Sequence, residues 1–436
     1  MSSSIFKPWD FKKLEDVAEV VDSLHKTPSY VDSGLPMVRV TDIKGGFLKL
    51  SECKRVTKEV FHEFTRKYLP RKGDILLSRV GTYGVSSYAS TDEEFCLGQN
   101  TVVIKPKINS RYLYLCLNSP YAKHQIEGFA VGSTQKTISL KSIKSLEIPI
   151  PEKQEIEAIA HILGTLDDKI ELNQQMNQTL EAIARALFKS WFIDFDPVRA
   201  KLDGRQPIGM DAETAALFPA EFEDGGAIGQ IPKGWTVKKL KDVLEVSRSG
   251  LKPEEFREES FDYFSLPAFD EGKLPKVEEG NQIKSNKYIV HNNAVLLSKL
   301  NPHIPRVWLP STSLTRRAVC STEFLVILPL QGMTCEYLYS LCNSQGFLET
   351  FSAMVTGTSG SHQRVKPEYL LNMDIVVSSP EITSQFTEIV GSFYRKVHEN
   401  LSESQIFSSI HDALLPKLLS GEIRVQDAET VVEAVT

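Results

Sequence analysis

The chain has 436 residues, enough for several domains of roughly 100 to 200 residues each with ample core. Its composition, 41% hydrophobic and 24% charged, is ordinary for a soluble globular protein, and no run approaches the roughly 18 to 20 apolar residues of a membrane helix, which excludes a membrane-spanning role. The formal net charge of −6 argues against nucleic-acid binding unless the charge is unevenly divided.

The N-terminal residues show no basic start followed by an apolar stretch and a cleavage site, which predicts a cytoplasmic protein. The six cysteines form no Cys-x-x-Cys pair, so neither a zinc site nor a disulfide framework is favoured. We expect all six to be small apolar residues, namely Cys53, Cys96, Cys116, Cys320, Cys335 and Cys342.

Residues 1–151 are predicted to form an α+β domain. A short amphipathic helix with apolar positions at Leu14, Val17 and Val20 comes first. Short runs broken by Gly and Pro follow, and residues 111–127 are predicted to form a helix. The predicted strands lie at residues 38–40, 74–77, 102–104 and 147–150.

A long helix is predicted over residues 152–196, because apolar residues recur there at alternating steps of four and three from Ile159 to Trp191. Two polar residues, Asn173 and Asn177, interrupt this heptad seam near its middle. The Pro- and Gly-bearing residues 197–234 are predicted to form an extended connector.

The second half repeats the plan of the first. Trp9 with residues 12–20 recurs as Trp235 with residues 238–246, with seven of nine positions identical. Further matches follow in the same order, so residues 235–380 are predicted to be a second α+β domain. Its predicted elements are strands at residues 263–266, 294–297, 324–328 and 374–377 and a helix at residues 335–354.

A second long helix is predicted over residues 381–422, followed by a C-terminal tail at residues 423–436. Its seam carries Asn400 and Ser404 where the first carries Asn173 and Asn177, and His411 is predicted to be a packing residue. We expect an antiparallel intramolecular coiled coil with Asn173 facing Ser404 and Asn177 facing Asn400, which gives the chain pseudo-twofold symmetry. The alternative is that each helix packs separately on its own domain.

The charge is divided between these segments. Residues 1–150 carry a net +6 and residues 231–380 a net +1, whereas residues 151–230 carry −8 and residues 381–436 carry −5. The two globular parts are therefore more basic than the helical parts, which keeps nucleic-acid binding open.

A search for catalytic motifs returns nothing complete. Lys136-Thr137 lacks the glycine that a phosphate-binding loop needs before its lysine. Asn301-Pro302-His303-Ile304 lacks the second proline and the aromatic residue of an amino-methyltransferase motif, and the nine histidines make no metal-binding cluster. The sequence predicts a non-catalytic chain without a metal site.

Gly-rich polar loops recur in both halves instead. Small residues let a backbone approach DNA closely, and hydroxyl, amide and guanidinium groups can bond to phosphates or base edges. Any one of these loops could be an ordinary loop, but their duplication in the two more basic domains favours DNA contact. The candidate DNA-binding residues are Arg79, Thr82, Tyr83, Gln99, Asn100, Ser133, Thr134, Gln135, Lys136, Lys299, Asn301, His303, Arg306, Arg316, Arg317, Thr358, Ser359, Ser361, His362, Gln363 and Arg364.

Residues 191–201, which read Trp-Phe-Ile-Asp-Phe-Asp-Pro-Val-Arg-Ala-Lys, and the motifs at 204–207, 217–219 and 231–235 resemble the central region of specificity (S) subunits of type I restriction-modification systems. The resemblance covers essentially the whole chain, as two target-recognition domains that alternate with two long helices. The Pro-rich entry to the first helix at residues 148–151 is similar to that of the family, while the second copy at residues 375–380 departs from it.

The resemblance implies a subunit that catalyses nothing and recognises a bipartite sequence in double-stranded DNA. It implies that two methylation subunits, which bind S-adenosylmethionine, dock on the long helices. Two restriction subunits, which use ATP and Mg, would join them. The alternatives are a self-contained DNA methyltransferase or nuclease and a coiled-coil scaffold without DNA contact.

Overall fold

The computed structural model describes residues 9–132, 136–313, 315–330, 332–356 and 363–433. By contact the chain divides into two units, Met1–Leu172 with Ser404–Thr436, and Asn173–Glu403. These units divide the chain inside the long helices, whereas the predicted domain boundaries lie at the helix ends.

The first half combines short strands with helices, ending in one helix of 40 residues. Its strands are β1 (Asp10–Lys13), β2 (Ala18–Asp22), β3 (Leu35–Val38), β4 (Lys54–Val56), β5 (Ile75–Ser78), β6 (Ser86–Tyr88), β7 (Cys96–Leu97), β8 (Thr101–Pro106) and β9 (Glu147–Ile150). Its helices are α1 (Leu14–Val17), α2 (Lys58–Thr65), α3 (Ser110–Asn118), α4 (Pro120–Phe129), α5 (Leu140–Lys144) and α6 (Lys153–Phe192).

The segment after α6 is not the extended connector that the sequence predicts. It contains the helices α7 (Asp196–Leu202) and α8 (Ala212–Leu217) and the hairpin of β10 (Phe222–Asp224) with β11 (Gln230–Pro232). Phe195, Val198 and Phe218 bury their side chains in one apolar cluster with Trp235. The prediction was wrong because Pro and Gly mark turns here without preventing the apolar residues between them from packing.

The second half has more strands than the first and likewise ends in a long helix, of 41 residues, which a short terminal helix follows. Its strands are β12 (Thr236–Lys239), β13 (Leu244–Ser247), β14 (Gly250–Leu251), β15 (Ser260–Phe264), β16 (Lys276–Glu279), β17 (Lys287–Ile289), β18 (Val295–Ser298), β19 (Val307–Trp308), β20 (Arg317–Cys320), β21 (Phe324–Pro329), β22 (Val355–Thr356), β23 (Arg364–Val365) and β24 (Asp374–Val377). Its helices are α9 (Leu266–Gly272), α10 (Cys335–Cys342), α11 (Gln345–Ala353), α12 (Pro367–Leu371), α13 (Pro380–Ser420) and α14 (Val425–Glu433).

The two halves share a sheet of the same topology, which confirms the duplicated α+β plan. The first half has the strand order β2-β8-β5-β6, and the second has β13-β21-β18-β19. In both, strand pairing is antiparallel throughout. A second sheet accompanies each of them, β4-β3-β7 in the first half and β14-β17-β20-β15-β16 in the second.

Alternation along the strands explains why each sheet is buried on both faces. On β5, Ile75 and Leu77 belong to the cluster under α3 to α5, while Leu76 belongs to a second cluster that includes Val38 of β3. The sheet is therefore sandwiched, and the ends of its strands are the places where polar residues can reach solvent.

Three helix predictions were wrong in detail. Residues 111–127 form α3 and α4 rather than one helix, because Ser119 caps α4 by accepting a hydrogen bond from the N–H of Ala122 at 3.2 Å and Pro120 begins it. The helix predicted at residues 335–354 is likewise divided into α10 and α11. Val20, predicted in the opening helix, lies in β2.

The long helices pack against each other in antiparallel fashion within each unit. In the first unit Ile159, Leu163 and Leu166 from the early part of α6 share a core with Leu414 and Leu418 from the late part of α13. In the second unit the late residues of α6, Ala184, Phe188 and Trp191, share a core with Phe386 and Val390 from the early part of α13. The antiparallel coiled-coil prediction is confirmed.

Polar seam residues meet in the second unit. Asn400 donates its side-chain N–H to Oδ1 of Asn177 at 2.8 Å, and both side chains are buried. Asn173 donates to the backbone oxygen of Asn400 at 3.4 Å and to Oε2 of Glu403 at 2.7 Å. Glu403, which Asn173 bonds, immediately precedes Ser404, the partner that the seam predicts for Asn173.

We expect Asn177→Ala to lower the free energy of unfolding by about 1–3 kcal/mol, because the buried Asn400 amide loses its side-chain partner. Replacing both residues, as in Asn177→Leu with Asn400→Leu, should cost less than the sum of the single Leu substitutions, since no amide is then left unpaired. Urea unfolding of the full chain measures the four free energies. Strict additivity would contradict a direct interaction between the two side chains.

Asp167 of α6 faces His411 of α13, with 3.7 Å between Oδ1 and Nε2. Burial raises the pKa of Asp167, while the neighbouring His411 and Arg111 oppose that rise. The folded chain therefore holds this proton more tightly than the unfolded chain does. Stability should be full at acidic pH and fall as pH rises from the ordinary aspartate range through the raised pKa.

We expect Asp167→Asn to stabilise the chain above that range and to leave it unchanged at acidic pH, because the amide cannot ionise. Thermal melting of both proteins across pH measures this. Asp412→Asn is the control, since the Asp412 side chain also neighbours His411 but is 78% exposed. A gain of the same size at every pH would contradict the titration of Asp167.

Candidate nucleic-acid interface

In the first unit, three loops that are distant in sequence meet at one end of the sheet β2-β8-β5-β6. The N–H of Arg79, just after β5, donates to the oxygen of Asn100 at 2.9 Å, and the N–H of Ile138 donates to the oxygen of Arg79 at 3.0 Å. Val80 and Thr137 form an isolated β-bridge. The candidates after β5, before β8 and after α4 are therefore brought together.

The backbone of these loops is held in special conformations. Gly84 has a φ of +77°, and a Cβ there would lie 2.4 Å from Cγ2 of Ile126, so no other residue fits without displacement. Asn100 has a φ of +65°, a left-handed conformation that asparagine tolerates better than most residues. Neighbouring Gln99 and Thr82 point exposed side chains outward.

Arg79 is mainly a structural residue of this cluster. Its Nη1 lies 2.8 Å from Oδ1 of Asp22 at the end of β2, and its side chain is only 18% exposed. Nε also donates to the oxygen of Ile138 at 3.4 Å. The guanidinium thus ties the end of β2 to two of the loops, which leaves little of it for DNA.

Tyr83 and Lys136 share one carboxylate. The Tyr83 hydroxyl donates to Oε2 of Glu127 on α4, and Lys136 pairs with Oε1 of the same residue. The Lys136 ammonium lies 5.8 Å from the centre of the Tyr83 ring. The ion pair and the tyrosine hydroxyl lower the pKa of Glu127. All three groups remain at the surface, where a phosphate could compete for Lys136.

The second unit repeats the arrangement. The N–H of Lys299, just after β18, donates to the oxygen of Glu323 at 2.9 Å, and the N–H of Val365 donates to the oxygen of Lys299 at 3.1 Å. The N–H of Asn301 donates to the oxygen of Gln363 at 2.9 Å. Asn301 has a φ of +50°. The duplicated loops thus occupy equivalent strand ends in the two halves.

Arg364 is held differently from Arg79. Its Nε and Nη2 donate to the two carboxylate oxygens of Glu323 at 3.0 and 2.9 Å, a bidentate pair. This hydrogen bonding raises the pKa of Arg364, which is charged in any case. The Arg364 side chain is 45% exposed, so the guanidinium that Glu323 orients still reaches the surface.

The other candidate cations are engaged by carboxylates, including Arg306, whose backbone oxygen accepts from the N–H of Ser298 beside the loop cluster at 2.9 Å. Arg306 makes a bidentate pair with Asp270 of α9 and is 12% exposed. At the start of β20, Arg316 pairs with the buried Asp262, and Arg317 pairs with Glu259 while its guanidinium lies 4.0 Å from the centre of the Phe256 ring. These arginines are therefore ion-paired within the fold.

His303 is exposed in the loop that begins at Asn301. Seven further candidates lie outside the described residues, namely Ser133, Thr134, Gln135, Thr358, Ser359, Ser361 and His362.

No sequence motif indicates the carboxylates that hold these cations. Asp22 lies 57 positions from Arg79, and Glu323 lies 41 positions from Arg364. A cluster of cations is also absent from the predicted site residues, although the sequence shows it. Four cations, Arg66, Lys67, Arg71 and Lys72, occur within seven residues between α2 and β5, and all are exposed.

Metal-binding clusters and membrane-spanning helices were sought among the residues that the structure describes. Within them, no group of three or more His, Cys, Asp or Glu side chains is arranged to hold a metal ion. No helix there is long and apolar enough to cross a membrane.

Comparison with known proteins gives the family. Residues 7–182 and 232–402, which include both halves of the duplication, match the family described as the type I restriction modification DNA specificity domain. The chain belongs to this family.

Relatives match along almost the whole specificity chain. The MjaIX specificity subunit of Methanocaldococcus jannaschii is 26% identical over 97% of this chain and 95% of its own length. The HindI specificity subunit of Haemophilus influenzae is 29% identical over 81% of this chain and 87% of its own length.

A crystal structure of the S subunit of a type I restriction-modification system from M. genitalium has the same fold. It aligns with a TM-score of 0.57 at 16% identity, covering 96% of this chain and 97% of that one. The two α+β halves and the two long helices are thus the architecture of a specificity subunit, with two target-recognition domains.

Proposed function

We propose that this chain is the DNA sequence-recognition subunit of a type I restriction-modification complex. Each target-recognition domain would read one half-site of a bipartite target in double-stranded DNA. The observation that carries the proposal is the duplicated loop cluster at equivalent strand ends, with polar side chains exposed beside cations that carboxylates orient. Side chains held in this way suit hydrogen bonding to base edges.

The partners would be two methylation subunits and two restriction subunits, joined to this chain in the cytoplasm. Large apolar side chains exposed on the long helices support protein docking there, since such residues favour burial against a partner. Those on α6 and α13 are Leu172, Ile183 and Ile406. S-adenosylmethionine would belong to the methylation subunits, and ATP and Mg to the restriction subunits.

A non-catalytic role fits the residues of the loop cluster, which are engaged in mutual hydrogen bonds and ion pairs. The competing proposal is a self-contained methyltransferase or nuclease. Binding of S-adenosylmethionine by the purified chain would favour that alternative. Weak, salt-independent binding of the assembled complex to duplex DNA would favour a scaffold, because neutralising phosphates makes affinity fall steeply with salt.

Methylome sequencing tests the proposal directly. Cells that express this chain with its methylation subunit should modify one bipartite sequence. Exchanging residues 1–151 for the corresponding domain of a relative should change one half-site and leave the other intact. The same exchange at residues 235–380 is the matched experiment for the other half. A change in both half-sites from one exchange, or no methylation at all, would contradict the proposal.

A further inference from the structure

The exposed cations between α2 and β5 form a surface that we call the basic loop, defined as Arg66, Lys67, Arg71 and Lys72. They differ from the candidate arginines in their partners. Of the four, Lys72 has a carboxylate at ion-pair distance, Asp92 at 3.7 Å, and that carboxylate is 85% exposed. Among the described residues, no carboxylate side chain lies at that distance from the side chains of the other three.

The loop is rigidly anchored, so the cations are presented at little further entropic cost. Asp74 is buried and accepts hydrogen bonds from the Tyr68 hydroxyl and from the N–H of Arg71, both at 2.8 Å. The N–H of Gly73 donates to the oxygen of Ala89 at 2.8 Å. Pro70 is buried. The side chains of the basic loop extend from a fixed backbone.

The basic loop adjoins the loop cluster of the first domain. Arg66 and Lys67 line a cavity of about 410 Å³ together with Asp22 and Ser23 at the end of β2. Asp22 is the carboxylate that holds Arg79, and the N–H of Ser23 donates to the oxygen of Thr101 at 3.2 Å. The cavity, which Glu63 also lines, therefore places Arg66 and Lys67 beside the two residues that contact the edge of the loop cluster.

The second domain has no basic loop at the corresponding described residues. Because β18 follows β5 at an offset of 220, the residues that correspond to Arg66, Arg71 and Lys72 are neutral, namely Asn286, His291 and Asn292. The counterpart of Lys67 is Lys287, which is 6% exposed, donates to the oxygen of Ser285 at 3.2 Å and has its pKa lowered by burial.

The segment beside that counterpart is acidic rather than basic. The N–H of Gly280 donates to the oxygen of Glu259 at 2.9 Å, and the N–H of Asn281 donates to the oxygen of Arg257 at 3.3 Å. This brings the exposed Glu254, Glu255 and Glu258 segment next to β17. Phosphates would be repelled there.

We propose that the basic loop binds the phosphate backbone of duplex DNA beside the first half-site and supplies most of the sequence-independent affinity of the chain. The inference rests on the proposed function and assigns the two domains unequal roles. Exposed cations, three of them without a carboxylate at ion-pair distance, suit phosphate contact, which positions DNA without reading its sequence, whereas Arg364, oriented by Glu323, suits base contact. The first domain thus anchors the duplex, and both domains read it.

The test is the salt dependence of DNA binding by the assembled methylation complex. Replacing all four cations of the basic loop by Gln should reduce the slope of log K against log salt by roughly 3.6, because each of four phosphate contacts contributes about 0.9. Affinity for cognate and non-cognate duplexes should fall by the same factor. The methylated sequence should not change, since phosphate contacts carry no base information.

Two controls make the outcome decisive. Gln substitution of four exposed cations of the second domain, Lys252, Arg257, Lys276 and Lys284, makes the same change in net charge and should leave the slope within about one of the wild type. Lys substitution of Arg66 and Arg71 should retain the wild-type slope, because phosphate binding needs charge rather than a guanidinium fork.

A wild-type complex with a steep slope and a basic-loop variant with the same slope would overturn the inference and leave the proposed function standing. A wild-type complex without salt-dependent binding would overturn the proposed function itself. If the Gln variant fails to assemble at low salt, the Lys variant decides the test. A Lys variant that assembles normally but loses its salt slope would also count against phosphate binding, because its charge is the same as that of the wild type.

Discussion

Replacing Phe386 by Ala is expected to lower the free energy of unfolding by about 3–5 kcal/mol, the range for removing a fully buried aromatic side chain. Phe386 of α13 is completely buried. Its ring centre lies 5.1 Å from that of Phe192 and 5.7 Å from that of Phe188, both on α6, and 6.4 Å from that of Tyr337 on α10. The cavity would open where both long helices meet the second domain.

Urea unfolding followed by tryptophan fluorescence measures this loss, since the Trp191 ring lies 5.9 Å from that of Phe386 and reports on the same cluster. Ile406→Ala is the matched control. It truncates an apolar residue of the same helix that is 52% exposed, and a change within about 0.5 kcal/mol is expected. Equal effects from the two substitutions would mean that the aromatic cluster does not hold the helices.

The helix seam could be predicted because its period is a local property of the sequence. Ile159, Leu163 and Leu166 are buried at heptad spacing, and Phe386 and Val390 begin the second seam in the same register. Direction followed from duplication, because a twofold axis across the helices requires them to run antiparallel, whereas the polar positions near the middle of each seam fit either direction. What the seam could not show is that Asn173 bonds to Glu403, because Glu403 lies outside the heptad positions.

The division of α3 from α4 could have been predicted, because Ser119 and Pro120 are a standard helix start. The matching division before α11 carries Ser344 without a following proline. There the local signal is weaker, and only the duplication indicates it. A repeat therefore carries information about boundaries as well as about domains.

The loop cluster shows a different limit. Duplication and composition indicated which loops to consider, and the sheets bring them together at equivalent strand ends. Pairing of cations with carboxylates depends on tertiary contacts, so Asp22 and Glu323 could not be found from the sequence. The basic loop could have been, because Arg66, Lys67, Arg71 and Lys72 lie within seven residues.

Glu323→Gln is expected to reduce discrimination at the second half-site by about 10- to 100-fold, the value of one bidentate base contact. Glu323 holds Arg364 through two hydrogen bonds at 3.0 and 2.9 Å. A glutamine of the same size offers one acceptor and no charge, so the guanidinium loses its orientation while keeping its own charge. The freed Arg364 can then pair with a phosphate, and the salt slope should rise by about one.

Arg364→Ala separates orientation from charge, because it removes the guanidinium altogether. It should cost similar discrimination without any rise in the salt slope. Both are measured by binding of the assembled methylation complex to duplexes with single base changes in each half-site. Asp22→Asn is the matched substitution in the first domain, where it removes the carboxylate through which Arg79 ties the end of β2 to the loops. Its effect should be confined to the first half-site, as that of Glu323→Gln is to the second. Loss of discrimination at both half-sites from either substitution would show that the carboxylates act on the whole fold instead of on one loop cluster each.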